Sequence, residues 1–201
     1  SSENIIYEMT FDKLIWGGDY VANKTGMYPG HQNLTVTPDT PATTVATAGQ
    51  DGSGDFFNAG MNPAFTADRG LAEWAGSKVY EHPGYPKMGT GSALGWIMSP
   101  ALNFQALGLT EPQNIFVQFD YCRWDGEQDD IVVTAENAGS MPETQLVKDH
   151  PKRTWQSIVF KVTDATSETR IKISGTKAGS NRFFIDNFRV YVSQAVPVEV
   201  T

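Results

Sequence analysis

The sequence predicts an all-β fold, a jelly-roll β-sandwich of two antiparallel sheets. Short segments that alternate apolar and polar residues recur along the chain, and Gly and Pro separate them. No segment keeps the i, i+3, i+4, i+7 apolar spacing of an amphipathic helix over three turns. Many short strands with turns between them are typical of a sandwich or a jelly roll.

The strand pattern recurs from the first residues to the last. It predicts strands at Ile5–Phe11, Leu34–Thr37, Ala93–Ser99, Ile115–Trp124, Asp130–Ala135, Trp155–Val162, Arg170–Ser174 and Arg182–Val192. Short helical turns are predicted near Ala64–Trp74 and Leu102–Leu107. Thr37–Asp55 and Tyr80–Gly95 are rich in Gly and Pro, and we expect both to be long loops.

The segments Ile115–Trp124 and Asp130–Ala135 predict a β-hairpin with its turn in the acidic residues between them. Alternate residues of the first strand form an apolar face, namely Ile115, Val117, Phe119 and Tyr121. The opposite face carries Gln118, Asp120, Cys122 and Trp124. A face with an amide, a carboxylate and a tryptophan is predicted to be a sugar-binding surface, because sugars need both apolar contact and planar hydrogen-bonding groups.

The last strand places a carboxylate among apolar residues. On a two-residue period, Phe184, Asp186, Phe188, Val190 and Val192 share one face, and Asn187, Arg189 and Tyr191 share the other. An ionised carboxylate on an apolar face is costly unless a cation or several donors satisfy it. Asp186 is therefore expected to bind a structural metal, to accept hydrogen bonds from backbone amides, or to pair with an arginine such as Arg182.

Length and charge limit the classes of protein. A chain of 201 residues fits one domain, which we place at 1–193 with a tail or linker at 194–201. The net charge of −8, without runs of like charge, argues against nucleic acid, anionic membranes and polyanionic glycans as partners. The single cysteine, Cys122, forms no internal disulfide, and no apolar run is long enough to cross a bilayer. The polar start at Ser1 is interpreted as the trimmed terminus of a mature protein, although a cytoplasmic protein would begin in the same way.

Catalytic motifs are not found in the sequence. It has no Gly-x-Ser-x-Gly elbow and no phosphate-binding glycine loop, and its histidines lie far apart. The enzymatic alternative is a glycoside hydrolase or lyase, which needs a pair of carboxylates beside the sugar. Asp120 is the best candidate for one of them, while Glu127 and Asp129 fall in the predicted turn. No second acid at matching parity is assigned, so we predict that the chain is not an enzyme.

Several aromatic residues are predicted to be exposed in loops or at strand ends, namely Trp16, Trp74, Tyr80, Tyr85 and Trp124. Pyranose rings stack their C–H faces on such side chains. We predict that the ligand lies on the face bearing Trp124 with Gln118, Asp120 and Arg123, or under the loop Tyr80–Gly95.

Motifs along the chain resemble two related kinds of secreted jelly-roll domain. Phe11-Asp12 with Trp16, the strand from Trp155 to Val162, and Phe184-Ile-Asp-Asn-Phe-Arg-Val resemble carbohydrate-binding modules of families four, nine and twenty-two. Trp96-Ile-Met-Ser-Pro-Ala-Leu-Asn-Phe and Phe119-Asp-Tyr with Gly126 resemble the MAM domain of adhesion proteins, although the MAM cysteines are missing. The whole resembles surface lipoproteins of gut Bacteroidetes in style.

The resemblance implies a galactose-binding-like or concanavalin-like sandwich that binds a neutral glycan without cleaving it. It also implies a structural calcium where the first and last strands meet, held by Asp186 with Asp12 or Glu8 and backbone carbonyls. The expected location is the cell surface or periplasm of a bacterium, with a lipid anchor on a removed N-terminal segment. Surface glycan-uptake proteins and other domains are further expected partners. The alternative from another class is an extracellular adhesion or scaffold domain that binds protein.

Overall fold

A computed structural model describes residues 3–14, 54–82, 84–124, 131–141, 145–147 and 155–193. The described chain is mostly strand, arranged in two antiparallel sheets, which confirms the predicted fold class. The strands are β1 Glu3–Met9, β2 Ala75–Ser77, β3 Val79–His82, β4 Tyr85–Met88, β5 Trp96–Met98, β6 Gln113–Arg123, β7 Ile131–Glu136, β8 Gln145–Val147, β9 Gln156–Ala165, β10 Arg170–Gly175 and β11 Phe183–Ser193. No helix of the described residues has the length and apolar character needed to cross a membrane.

Two short helical segments accompany the strands. Helix α1, Pro63–Asp68, begins after Asn62, whose side chain accepts a hydrogen bond from the Ala64 amide. A 3₁₀-helix covers Phe104–Leu107. Both fall where the sequence predicts helical turns, although each is shorter than the predicted segment.

The two sheets pack face to face around one core. The front sheet has the strand order β3-β4-β11-β6-β9, with β1 also paired to β11, and the back sheet has the order β2-β5-β10-β7-β8. Val117 and Phe119 of the front sheet share a hydrophobic cluster with Val133 and Ile173 of the back sheet. Because each strand contributes alternate residues to this cluster, the intervening residues of the front sheet form its outer face.

Strand β11 organises the front sheet. It pairs with β6 along one edge, from Phe183 opposite Arg123 to Tyr191 opposite Phe116. Along the other edge, β4 pairs with the start of β11 and β1 pairs with its second half. Side chains from β1, β11 and β6 are therefore brought next to one another on the outer face.

A β-bulge in β11 reverses its side-chain alternation. The register shifts between Asp186 and Arg189, and Asn187 has the left-handed φ of 49°. Before the bulge Ile185 faces the core, and after it Phe188 does so. The prediction that Asp186 shares a face with Phe188, Val190 and Val192 is therefore wrong. That prediction depends on an unbroken two-residue period, and a bulge inserts one extra residue. Asp186 lies on the outer face, opposite Asp120.

The predicted hairpin of Ile115–Trp124 with Asp130–Ala135 is also wrong. β6 belongs to the front sheet and β7 to the back sheet, so the two strands face each other across the core instead of pairing. The alternation within β6 is as predicted, with Ile115, Val117, Phe119 and Tyr121 all fully buried. Alternation reports which face of a strand is buried, but it does not identify the strand that lies alongside.

The predicted loop Tyr80–Gly95 contains strand structure instead. β3 and β4 form a hairpin from Val79 opposite Met88 to His82 opposite Tyr85. Pro86 hides the pattern, since proline is rare in paired strands. It is tolerated because β4 pairs with β11 only through Lys87 and Met88. The predicted strand Leu34–Thr37, most of the predicted loop Thr37–Asp55 and the tail 194–201 lie outside the described residues.

The bulge gives a test by substitution at Asn187. A β-branched side chain in the left-handed region clashes with its own backbone, whereas glycine adopts this φ freely. We expect Asn187→Val to unfold with a free energy about 1–2 kcal/mol lower than that of Asn187→Gly. Urea unfolding of the two variants measures the difference. Both variants lose the asparagine amide, so equal stabilities would contradict the left-handed conformation.

Candidate functional site

Polar side chains of three strands meet on the outer face of the front sheet. The register places Glu8 of β1 opposite Arg189 of β11, and Arg189 opposite Gln118 of β6. Asp186 lies opposite Asp120, and Asp120 lies opposite Ser157 of β9. These neighbouring rows follow from the bulge, which turns both Asp186 and Arg189 to the same face.

A cavity of about 230 Å³ opens between these rows. Its walls are formed entirely by polar or charged residues, namely Glu8, Thr10, Gln118, Asp120, Asn187 and Arg189. We call this cavity the outer-face pocket. It combines carboxylates, which accept hydrogen bonds, with a guanidinium and amides, which donate them.

Hydrogen bonds hold the walls of the outer-face pocket in place. Arg189 donates from Nε and Nη2 to Gln118 Oε1, at 3.2 and 2.8 Å. Gln118 in turn donates from Nε2 to Ser157 Oγ at 2.9 Å. Asn187 donates from Nδ2 to Asp120 Oδ2 at 3.0 Å, and its backbone amide donates to Asp186 Oδ1 at 2.8 Å. Side chains fixed in this way lose little further conformational freedom when a ligand binds.

An apolar row of the outer face lies beside the pocket. The rings of Phe116 and Tyr191 stack with their centroids 5.5 Å apart. Ile5, opposite Tyr191 on β1, is 46% exposed, and Val159, opposite Gln118 on β9, is 49% exposed. The polar pocket is thus flanked by exposed apolar surface.

An aromatic cluster closes the other end of the outer face. It consists of Tyr85, Cys122, Trp124 and Phe184, with Trp155 packed against them. Trp124 is only 8% exposed and stacks on Phe184 at a centroid distance of 5.8 Å. Arg182 lies 4.2 Å from the centre of the Trp124 ring. Tyr85 is 1% exposed and also packs against Phe184. The prediction that Trp124 and Tyr85 are exposed is therefore wrong, because both rings are buried against Phe184.

The remaining predicted ligand residues also lie away from the pocket. Trp74 is buried in the core, where its Nε1 donates to the Tyr7 hydroxyl at 2.8 Å, so its predicted exposure is wrong. Tyr80 is half-buried beneath the Lys87 ammonium. Arg123 lies opposite Phe183, on the core-facing parity of β6, so it does not share a face with Gln118. Trp16, Glu127 and Asp129 lie outside the described residues.

The three residues predicted to bind calcium lie in three different surroundings. Glu8 lines the pocket, Asp186 is buried beside it, and Asp12 is exposed in the turn after β1. Within the described ranges, no three His, Cys, Asp or Glu side chains form a group that could hold a metal ion. The described part of the chain thus offers at most two carboxylates to one ion, which calcium would have to supplement with other oxygen ligands such as backbone carbonyls. The calcium site stays a prediction.

Of the predicted residues, Gln118 and Asp120 meet in the pocket, together with Glu8 from the predicted calcium set. Sequence reasoning missed Asn187 and Arg189 as partners of Gln118 and Asp120. The asparagine itself was the available signal, since Asn is several-fold enriched at positive φ. Thr10 gave no signal of its own.

Comparison with known proteins adds resemblances of fold. No protein family and no curated protein matches the chain by sequence. Solved structures do match, and carbohydrate-binding modules are among them, as the sequence motifs predict. TmCBM61, solved with β-1,4-galactotriose, is 13% identical, covers 61% of this chain and 90% of its own, and has a TM-score of 0.46.

Two further matches are of similar strength. The CBM22-1 xylan-binding domain from Paenibacillus barcinonensis is 14% identical over 62% of this chain and 88% of its own, with a TM-score of 0.42. The K1 cleaved adhesin domain of Lys-gingipain from Porphyromonas gingivalis is 10% identical over 61% of this chain and 92% of its own, with a TM-score of 0.45.

The closed aromatic cluster gives a test by thiol chemistry. Burial raises the pKa of the Cys122 thiol to about 12, so the reactive thiolate is scarce at neutral pH. We expect a disulfide reagent at pH 8 to modify the native chain at least about a hundredfold more slowly than the guanidinium-unfolded chain. Because the pKa is raised, the native rate should climb with pH throughout the alkaline range. Equal native and unfolded rates would show that the cluster is open.

Proposed function

We propose that this chain is a non-catalytic carbohydrate-binding domain that holds a neutral glycan in the outer-face pocket. The observation that carries the proposal is the composition of the pocket walls. Glu8 and Asp120 present acceptors, while Arg189 and Asn187 carry donor groups, all within one cavity. Sugar hydroxyls are both donors and acceptors, and they need such groups on planar side chains.

The apolar row supports the same proposal. Ile5 and Val159 present exposed apolar surface on either side of the polar walls, and the Phe116–Tyr191 stack lies between β1 and β9 on the same face. A sugar whose hydroxyl edge enters the pocket can rest a C–H face on this surface, which adds hydrophobic burial to the hydrogen bonds. The platform is then the exposed aliphatic surface of Ile5 and Val159 with the half-buried Phe116 ring, in place of Trp124, and Tyr191, at 7% exposure, supports that ring from within the sheet.

The position of the carboxylates supports binding without cleavage. A glycosidase would need a second carboxylate on the same face as Asp120, and the sequence alone does not reveal one. The strand register places Asp186 opposite Asp120, so Asp186 is that second carboxylate. It is only 3% exposed, and its Oδ1 accepts the Asn187 amide. A glycosidase needs both carboxylates in contact with the sugar or its attacking water. Asp186 is too deeply buried for that role.

The proposal includes export to a bacterial cell surface or periplasm, where a soluble polysaccharide or oligosaccharide would be met. A lipid anchor and neighbouring glycan-uptake proteins belong to the same proposal, as does a structural calcium near β1 and β11. Running the binding experiments below with calcium and with chelator tests the metal. Stability that falls with chelator while affinity holds would identify a structural ion.

The pocket gives a matched pair of variants for the binding test. Gln118→Ala removes the acceptor that holds Arg189 and the donor to Ser157, whereas Gln113→Ala removes an amide at the far end of the same strand. Affinity electrophoresis against neutral polysaccharides measures both. We expect Gln118→Ala to bind about tenfold more weakly, since hydrogen bonds to charged groups contribute about 1.5–3 kcal/mol. Gln113→Ala should bind as the parent does.

Three results would contradict the proposal. Equal affinity of the two variants would remove the outer-face pocket as the site. Release of reducing sugar from a bound polymer would make the chain an enzyme. Failure of the parent chain to bind any polymer of a broad panel would favour the alternative of an adhesion or scaffold domain that binds protein.

A further inference from the structure

A second cavity, of about 350 Å³, lies at the edge of the sandwich, in the groove beside Phe57 and Met61. We call it the edge cavity. It is formed by the chain from Phe56 to Trp74, which precedes the edge strands β2 and β3. Among the described residues, none lines both this cavity and the outer-face pocket. Its volume falls within the range of roughly 300–1,000 Å³ that is usual for small-molecule sites in proteins.

The walls of the edge cavity are predominantly apolar and partly aromatic. Eight of its ten lining residues are apolar. They include the rings of Phe56, Phe57 and Trp74 and the thioether of Met61. A ligand ring gains edge-to-face contacts with aromatic side chains and a contact with the methionine sulfur, in addition to the burial of its own apolar surface. The cavity therefore suits an aromatic ring better than an aliphatic ring of equal size.

Polar side chains are few at the edge cavity. Of its ten lining residues, only Asn58 and Thr66 are polar and none is charged. The Thr66 hydroxyl donates to the Phe56 carbonyl at 3.2 Å, while the carboxamide of Asn58 is exposed and can pair with one polar group of a ligand. A sugar ring would bury several hydroxyls with too few side-chain partners, and an ion would lose its hydration without a counter-charge. The lining therefore favours a neutral ligand with one polar group.

The walls of the edge cavity are fixed before any ligand binds. The Phe57 amide donates to Asp55 Oδ1 at 3.1 Å, and the Trp74 indole donates to the Tyr7 hydroxyl at 2.8 Å. The Phe57 ring rests directly on the backbone of β2, because a β-carbon at Gly76 would lie only 2.8 Å from that ring. Walls that are held in this way need little further ordering when a ligand enters.

We propose that the edge cavity binds a small, neutral aromatic molecule, with its ring beside Phe57 and Trp74 and one polar group at Asn58. The site goes beyond the proposed function, because it is separate from the outer-face pocket and takes a ligand of another chemical class. Loss of glycan binding would therefore leave this proposal standing, and loss of aromatic binding would leave the glycan proposal standing.

Benzamide is the probe for the edge cavity, because it joins a neutral ring to a carboxamide that can pair with that of Asn58. Binding to the whole chain is followed through the methyl resonance of Met61, which lines the cavity. We expect a saturable shift with a Kd of about 1–10 mM, as is usual for a ligand of so few atoms. Benzoate, which is charged, should bind at least about tenfold more weakly. Cyclohexanecarboxamide, which lacks the aromatic ring, should bind about threefold more weakly.

A matched pair of substitutions locates the site. Ala59 and Ala67 are both exposed, but only Ala59 lines the edge cavity. Ala59→Trp should fill the cavity and abolish the saturable binding of benzamide, whereas Ala67→Trp, on α1, should bind as the parent does. Asn58→Ala leaves the cavity open and should weaken benzamide about threefold to tenfold through the loss of a hydrogen bond. This variant tests the same site should Ala59→Trp disturb the fold.

Each contrary result overturns a named part of the proposal. A Met61 signal that shows no saturable shift with benzamide in the parent overturns the site itself. Equal binding by Ala59→Trp and Ala67→Trp, or an undiminished affinity of Asn58→Ala, overturns its location. Benzoate or cyclohexanecarboxamide binding as tightly as benzamide overturns the neutral or the aromatic character of the ligand. Tighter binding of a neutral disaccharide, lactose, would make the edge cavity a second glycan site and overturn the ligand class.

Discussion

Side chains on a β-strand alternate between two faces, and β11 breaks this alternation once, between Asp186 and Arg189. Everything on the outer face of the front sheet depends on that break. Before it, Ile185 faces the core, and after it Phe188 and Val190 continue the same buried surface. The bulge thus lets β11 fill the core along its whole length while Asp186 and Arg189 both face outward.

The outer face has three zones because β11 has different neighbours along its length. Where it pairs with β4, aromatic residues close over Phe184 and Cys122 and bury Trp124. Past the bulge it pairs with β1, which brings Glu8 alongside Arg189. The polar pocket lies at the change from one neighbour to the other, and the Phe116–Tyr191 stack follows it. A sheet with one continuous edge strand would offer no such junction.

The sequence predicted the class of fold and the buried face of β6, since both depend on local alternation. It did not predict that β6 and β7 belong to different sheets, because partner choice depends on long-range packing. The site was predicted in part. Gln118 and Asp120 stand out as polar residues on a strand with one apolar face, whereas Arg189 joins them only through a register that no local pattern reveals. Aromatic residues misled the prediction, because Trp124 and Trp74 pack inside the fold while sequence shows only their hydrophobicity.

The central claim is that one pocket, built by the bulge, receives the ligand. The side-chain amide resonances of Gln118 and Asn187 report on it directly, because both groups line the pocket. The measurement is a titration of the labelled protein with the glycan that binds, followed by nuclear magnetic resonance. The account predicts that these two amide signals shift together and saturate, while that of Gln113, bonded to Thr110, stays in place. Shifts confined to the amide of Asn58, in the groove beside Phe57 and Met61, would contradict it and move the site to the edge of the sandwich.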